Sequence, residues 1–209
     1  MKMLHPLALA TLALGIAPLA ANADDSALIE KVRAATAPYL NINAAIKAGW
    51  FIRATPCVSG PDTGAMGVHL MNPAYLDQSI ALLPGDPNNS LDPTKPQILI
   101  YEPQANGAFR LVGVEYAIDV SFWKSLGHDP TLTATDVPAV GSTYSTSLNG
   151  TVSPTGATAI KGQLMNYQPA PNRFGLSESY YLHIWAWQDN PKGSFADWNT
   201  NVTCTHQPD

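Results

Sequence analysis

Ile98-Leu99-Ile100-Tyr101-Glu102-Pro103-Gln104-Ala105-Asn106-Gly107-Ala108-Phe109-Arg110-Leu111-Val112-Gly113-Val114-Glu115-Tyr116-Ala117-Ile118 contains two apolar runs separated by a turn. The Asn106-Gly107 step tolerates the positive φ that a tight hairpin needs. Ile98–Glu102 and Phe109–Ile118 therefore read as adjacent antiparallel strands. Tyr180–Trp187, rich in aromatic and branched residues, reads as a further strand, apolar on both faces and hence buried on both sides. Toward the N-terminus the period changes. Ser26 can cap a helix running to Ala35, with Leu28, Val32 and Ala35 on one face, until Pro38 interrupts it. Asn41 or Asn43 can cap a second short helix, Ala44–Ala48, which Gly49 ends. Trp50-Phe51-Ile52 reads as a short strand leading to Cys57, and residues 59–67, with three glycines, as a loop from which His69 emerges. Pro84 to Pro96 reads as an ordered surface connection. The expected fold class is α+β, a single β-rich domain built on an antiparallel sheet or small barrel with N-terminal helices.

The chain's front end indicates where it works. Lys2, the apolar run Leu7–Leu19 and Ala21-Asn22-Ala23 form the three parts of a cleaved secretory signal over residues 1–23, too short to span a bilayer. The mature domain is expected over 24–209, starting near Asp24, in a periplasmic or secreted location, with no membrane span after cleavage. The formal net charge of −5 supplies no basic stripe, which excludes nucleic acid and anionic membrane surfaces as partners. Charged residues make up only 13% of the chain, about half the usual share, so Asn, Gln, Ser, Thr and Tyr must supply the polar surface. That surface suits a neutral small-molecule or glycan ligand. In an oxidising compartment the two cysteines, Cys57 and Cys204, are expected to pair and pin the tail to the early chain. Residues 131–158 are rich in Thr, Ser and Gly, with Asp136 their only charge, and read as an insertion.

Three residues carry the chemical interest. Strand alternation puts Glu115 on a face with Phe109, Leu111, Gly113 and Ala117, where it is the only charge. The same alternation groups His183 with Tyr181, Trp185 and Trp187. A carboxylate and an imidazole inside core strands cost several kcal/mol unless paired or ligated. One reading joins His69, Glu115 and His183 around a divalent metal, with Zn²⁺, Fe²⁺, Mn²⁺ and Cu²⁺ all accepting two imidazoles and a carboxylate. His128, Asn72 and Trp185 are candidates to join the site. The competing reading is a buried His183–Glu115 pair of purely structural role. In that case the protein is a non-catalytic glycan- or small-molecule-binding module, using Trp185 and Trp187 as a stacking surface. Nucleophile elbows and phosphate-binding glycine loops are missing from the sequence. Glu102 and Glu115 could be imagined as a glycosidase pair, but their parities differ. Whether the protein is an enzyme is left open by the sequence.

Further motifs occur in a fixed order: Gly64-Ala65-Met66-Gly67-Val68-His69-Leu70-Met71-Asn72, Leu111–Tyr116, Pro171-Asn172-Arg173-Phe174-Gly175-Leu176, Leu182–Trp187 with Asn190-Pro191, Phe195-Ala196-Asp197-Trp198-Asn199, and Cys204. In combination they resemble a group of small secreted bacterial proteins of uncharacterised function. The resemblance covers residues 28–130 and 162–204, which makes 131–160 an insertion relative to that group. It implies one exported domain of bacterial origin and assigns no activity or cofactor.

Overall fold

The computed structural model describes residues 23–60, 63–76, 91–119 and 177–207, with short pieces between 145 and 170. Helix α1 spans Ala23–Thr36 and is followed by a 3-10 turn over Ala37–Leu40, into which Pro38 fits at the first turn. Helix α2 spans Ile42–Lys47; Asn41 is its cap, accepting from the Asn43 backbone N–H at 2.9 Å. Strands β1 (Ile52–Gly60) and β2 (Gly64–Met71), the short helix α3 (Pro73–Leu76), and strands β3 (Ile98–Pro103) and β4 (Phe109–Asp119) follow. Next come two small ladders, β5 (Ser145–Thr146) with β6 (Val152–Ser153) and β7 (Thr158–Ile160) with β8 (Gln163–Leu164). Strands β9 (Asn166–Gln168) and β10 (Ser179–Ile184) close the series. The leader expected over residues 1–23 and the insertion expected over 131–158 lie outside the described residues, apart from Ala23 and the short pieces of β5 to β7.

The main sheet is antiparallel, in the order β1-β2-β3-β4-β10-β9. Its five longer strands curl into a half-barrel. The hairpin expected between Ile98 and Ile118 is the β3–β4 pair, with Gly107 at φ +76° in its turn. One face of the sheet carries Val68, Leu70, Leu99, Tyr101, Val114, Tyr116, Leu182 and Ile184, and Leu28, Ile29, Val32, Ala45 and Trp50 cover it from the helical side. Each such side chain, fully buried, contributes ~1.5–3 kcal/mol before chain entropy is counted. The polar tips of the buried aromatics find backbone carbonyls: Tyr101 Oη donates to Tyr39 O at 2.6 Å and Tyr116 Oη to Pro93 O at 2.8 Å.

Two sequence expectations change. Residues 59–67 are not a loop: β1 runs to Gly60 and β2 starts at Gly64, so His69 lies within a strand rather than emerging from a glycine loop. The glycines serve close approach instead. A Cβ at Gly67 (φ +106°) would stand 2.8 Å from Tyr101 O. The simple alternation along Phe109–Ile118 also fails. The β3–β4 register skips Val112, passing from Gly113 opposite Ile100 to Leu111 opposite Tyr101. Leu111 thus packs into the helix-side core with Val114 and Tyr116, whereas Val112 packs with Ile100, Trp185 and Val202. Leu111 and Glu115 share a parity but not a face. A smaller shift is that the first strand begins at Ile52, with Trp50 already in the core.

Cys57 and Cys204 form a disulfide, with Cα atoms 5.6 Å apart and 147 residues between them in sequence. The tail it holds is tied further by the Ala65–Asn199 bridge and by the Thr203 N–H donating to Glu102 Oε1 at 2.9 Å. Among the described residues, no helix is long and apolar enough to cross a membrane.

Candidate metal centre

His69, Glu115 and His183 sit on the face of the sheet turned away from the helices. Their sequence neighbours Val68 and Leu70, Val114 and Tyr116, and Leu182 and Ile184 all point into the helix-side core, so alternation sends the three polar side chains the other way. Glu115 and His183 are direct cross-strand partners on β4 and β10. On the other side of β4, Glu115 pairs with Ile98 of β3, and His69 pairs with Ile100 of the same strand. In a flat sheet β2 and β10 would lie three strand spacings apart, ~14 Å. The ring centroids of His69 and His183 are 5.9 Å apart, because the curl folds this face inward.

The result is a convergence on one carboxylate oxygen. His69 Nε2 lies 3.3 Å and His183 Nε2 3.5 Å from Glu115 Oε2. One donor atom from each residue falls within 4.8 Å of the others, a group that is able to hold a metal ion. His69 is oriented from behind: its Nδ1 lies 2.8 Å from the hydroxyl of Thr55, its cross-strand partner on β1, which leaves Nε2 facing the carboxylate. His183 is 2% exposed, and among the described residues neither ring nitrogen has a hydrogen-bond partner. Leaving buried polar atoms unsatisfied costs ~1–3 kcal/mol apiece.

The electrostatics follow from this burial. Desolvation pulls His69 down to about 4, only partly countered by Glu115. Burial alone would raise Glu115, but contact with His183 and the fields of both imidazoles outweigh it and hold the carboxyl below its ordinary value. Burial alone would likewise lower His183; Glu115, with Asp197 adding to it, holds it above its ordinary value instead. At neutral pH the site therefore presents a carboxylate and a neutral His69, beside a His183 that holds a proton more readily than a free imidazole does.

The cluster opens into a pocket walled by Ala54, Thr55, Val58, Met66, Ile98, Gln168 and Tyr181, with about 410 Å³ between its walls when the open mouth is included. Met66 reaches it where the β1–β2 register passes from Val58 opposite Gly67 to Ser59 opposite Ala65, leaving Met66 without a cross-strand partner. Tyr181 packs edge-on to His183, centroids 5.4 Å apart. Burial first, then the charges of Asp197 and Glu115, push its phenol upward, so it stays protonated.

Other sequence candidates find other roles. Asn72 caps α3, its Oδ1 accepting from the Ala74 N–H at 3.1 Å, and takes no part in the cluster. Trp185 is buried near His183, with its indole N–H donating to Ala196 O at 2.5 Å. Trp187 lies on the helix side, donating to Thr36 Oγ1 at 2.9 Å, because the strand ends at Ile184 and alternation no longer governs its direction. The two tryptophans therefore share no stacking face. Glu102 is held by Arg110 at 2.6 Å and by the tail, so it pairs with no second carboxylate. His128 lies outside the described residues. Thr55, Met66 and the Tyr181 hydroxyl were not singled out by sequence; reaching them needs the β1–β2 register, which irregular pairing conceals. Comparison with protein-family models, with curated proteins and with solved structures finds no match.

Proposed function

We propose that this is an exported bacterial protein holding one divalent metal ion between His69, Glu115 and His183. The observation that carries the reading is the pair of 3.3 and 3.5 Å separations around Glu115 Oε2. They exceed the 2.7–3.2 Å of an N–H···O hydrogen bond. They match the ~3.4 Å edge of a tetrahedron with ~2.1 Å metal–ligand bonds. The unpartnered nitrogens of His183 and the Thr55 contact behind His69 support it, the second being the outer partner that metal-bound histidines ordinarily have. Three protein donors leave a coordination position for water or a small ligand, and the ion would supply Lewis acidity there. Zn²⁺, Fe²⁺, Mn²⁺ and Cu²⁺ all suit this donor set. The leader pattern, the resemblance to secreted bacterial proteins and the Cys57–Cys204 bridge together support a periplasmic or secreted location.

The test is thermal. Chelator-treated protein titrated with each of the four ions should gain several degrees in melting temperature with at least one of them, saturating at one equivalent. No shift with any of the four would leave the cluster a structural ion pair.

A further inference from the structure

Met66 faces the wrong way for a regular strand. Val68, two residues on, packs into the helix-side core with Leu70, and alternation would send Met66 there with them. Met66 instead lines the pocket of His69, Glu115 and His183, and it belongs to neither hydrophobic cluster of the core. The reversal occurs at Gly67, whose φ of +106° accompanies the irregular β1–β2 pairing between Val58 and Ser59. Bulges that re-aim a side chain in this way are enriched beside functional sites. The side chain so aimed is 3% exposed. Among the described residues its thioether is the only sulfur lining the pocket, and both cysteines are closed in the Cys57–Cys204 bridge. The surrounding charge favours a cation. Glu115 lies in the cluster, the charge of Asp197 reaches both His183 and Tyr181, and among the described residues no Lys or Arg lines the pocket.

We propose, resting on the metal reading above, that the metal is copper and that the Met66 thioether is its fourth protein donor. A thioether is soft and uncharged, so it adds little to the binding of Zn²⁺, Fe²⁺ or Mn²⁺ by imidazole and carboxylate, but it favours Cu⁺. The two imidazoles suit copper in both oxidation states, and Cu²⁺ already leads the divalent ions on nitrogen and oxygen donors. The preference that Met66 itself sets is therefore read with Cu⁺ against Zn²⁺. For Cu⁺ the thioether fills the position that the other ions leave to water. Binding involves no change in the oxidation state of the ion.

The experiment uses the full protein with its disulfide closed. Cu⁺ is supplied anaerobically as its acetonitrile complex, without thiol, in competition with a coloured Cu⁺ chelator; Zn²⁺ is measured against a coloured zinc chelator. Wild type should take up one equivalent of Cu⁺. Met66→Leu, a swap of similar volume and polarity that cores tolerate, should bind Cu⁺ at least tenfold more weakly and Zn²⁺ within about twofold of wild type. His183→Ala should lose both ions, which places the copper at this cluster. X-ray absorption of the Cu⁺-loaded wild type should show one sulfur neighbour, and with no free cysteine in the described chain that neighbour is a methionine. Equal Cu⁺ affinity in wild type and Met66→Leu, Zn²⁺ uptake without Cu⁺ uptake, or a copper spectrum without sulfur overturns the assignment and leaves the metal site standing. Failure of wild type to bind Cu⁺ or any of the four divalent candidates removes the metal site and this proposal with it. Should Met66→Leu not fold, the wild-type absorption spectrum still decides.

Discussion

At the scale of single residues, the two readings of the trio order the same mutants differently. With a metal bound, His183→Ala should abolish stoichiometric metal, and Glu115→Gln should weaken binding at least tenfold, since an amide donates no charge; metal analysis after dialysis reads both. If the trio is only structural, Glu115→Gln stays mild because the amide still meets both imidazoles, whereas Glu115→Leu strands them and costs ~1–3 kcal/mol. The metal-free protein makes a second prediction. His69 sits at about 4 when folded, against 6.5 in the unfolded chain. Between those values the unfolded state binds the extra proton, so folding stability falls as pH drops from 6.5 to 4, by on the order of 3 kcal/mol. His183 does not mask this: its raised value is a stabilisation already complete below 6.5 and lost only as pH rises through the folded value. Glu115, held low, adds its own loss only as pH falls below its ordinary 4.5. Urea melts of metal-free protein at pH 7, 5.5 and 4.5 should show the decline, and His69→Gln should flatten it; an unchanged slope in the variant would refute the assignment to His69.

At the scale of elements, curl and bulges make the site. Alternation along Tyr180–Ile184 was legible because that strand is regular, and it correctly set Tyr181 and His183 apart from Leu182 and Ile184. The Asn41 cap made α2 legible within a few residues, and the Leu28–Val32 spacing did the same for α1, although α1 starts at Ala23 and so holds Ser26 inside the helix rather than at its cap. Phe109–Ile118 was misread at Val112 because an extra residue on one strand reverses parity and leaves no mark in composition. The glycines of 59–67 looked like loop chemistry because positive φ serves a bulge as readily as a turn. Gly67→Ala tests that bulge. Its Cβ would meet Tyr101 O at 2.8 Å and Ile100 Cγ2 at 2.9 Å from a φ of +106°, so a loss of about 1–3 kcal/mol is expected. Because the strain lies one residue from Met66 and two from His69, metal affinity should fall too. Denaturant melts and metal titration on one sample would check both, and a variant as stable as wild type would show that the strand pairing there is wrong.

Across the whole molecule, the convergence depends on keeping the half-barrel curled and the tail in place. The Cys57–Cys204 bridge closes a 147-residue loop, and removing a bridge of this kind costs about 2–5 kcal/mol. A Cys57→Ser/Cys204→Ser double variant should melt several degrees lower than wild type, and non-reduced peptide mapping of wild type should show the linked pair. Equal melting temperatures would mean that the tail contacts from Asn199 and Thr203 hold it unaided. Which strands would become neighbours at the site was not written in any local motif. His69, Glu115 and His183 are far apart in sequence, and only the strand order β2-β3-β4-β10 with its curvature brings them together. The most direct measurement is the metal content of the full protein purified without chelator, by elemental analysis. One equivalent of a divalent transition metal per chain in wild type, and none in His183→Ala, is the predicted result; a wild type that carries no metal, takes none up and melts at the same temperature with and without chelator would contradict it.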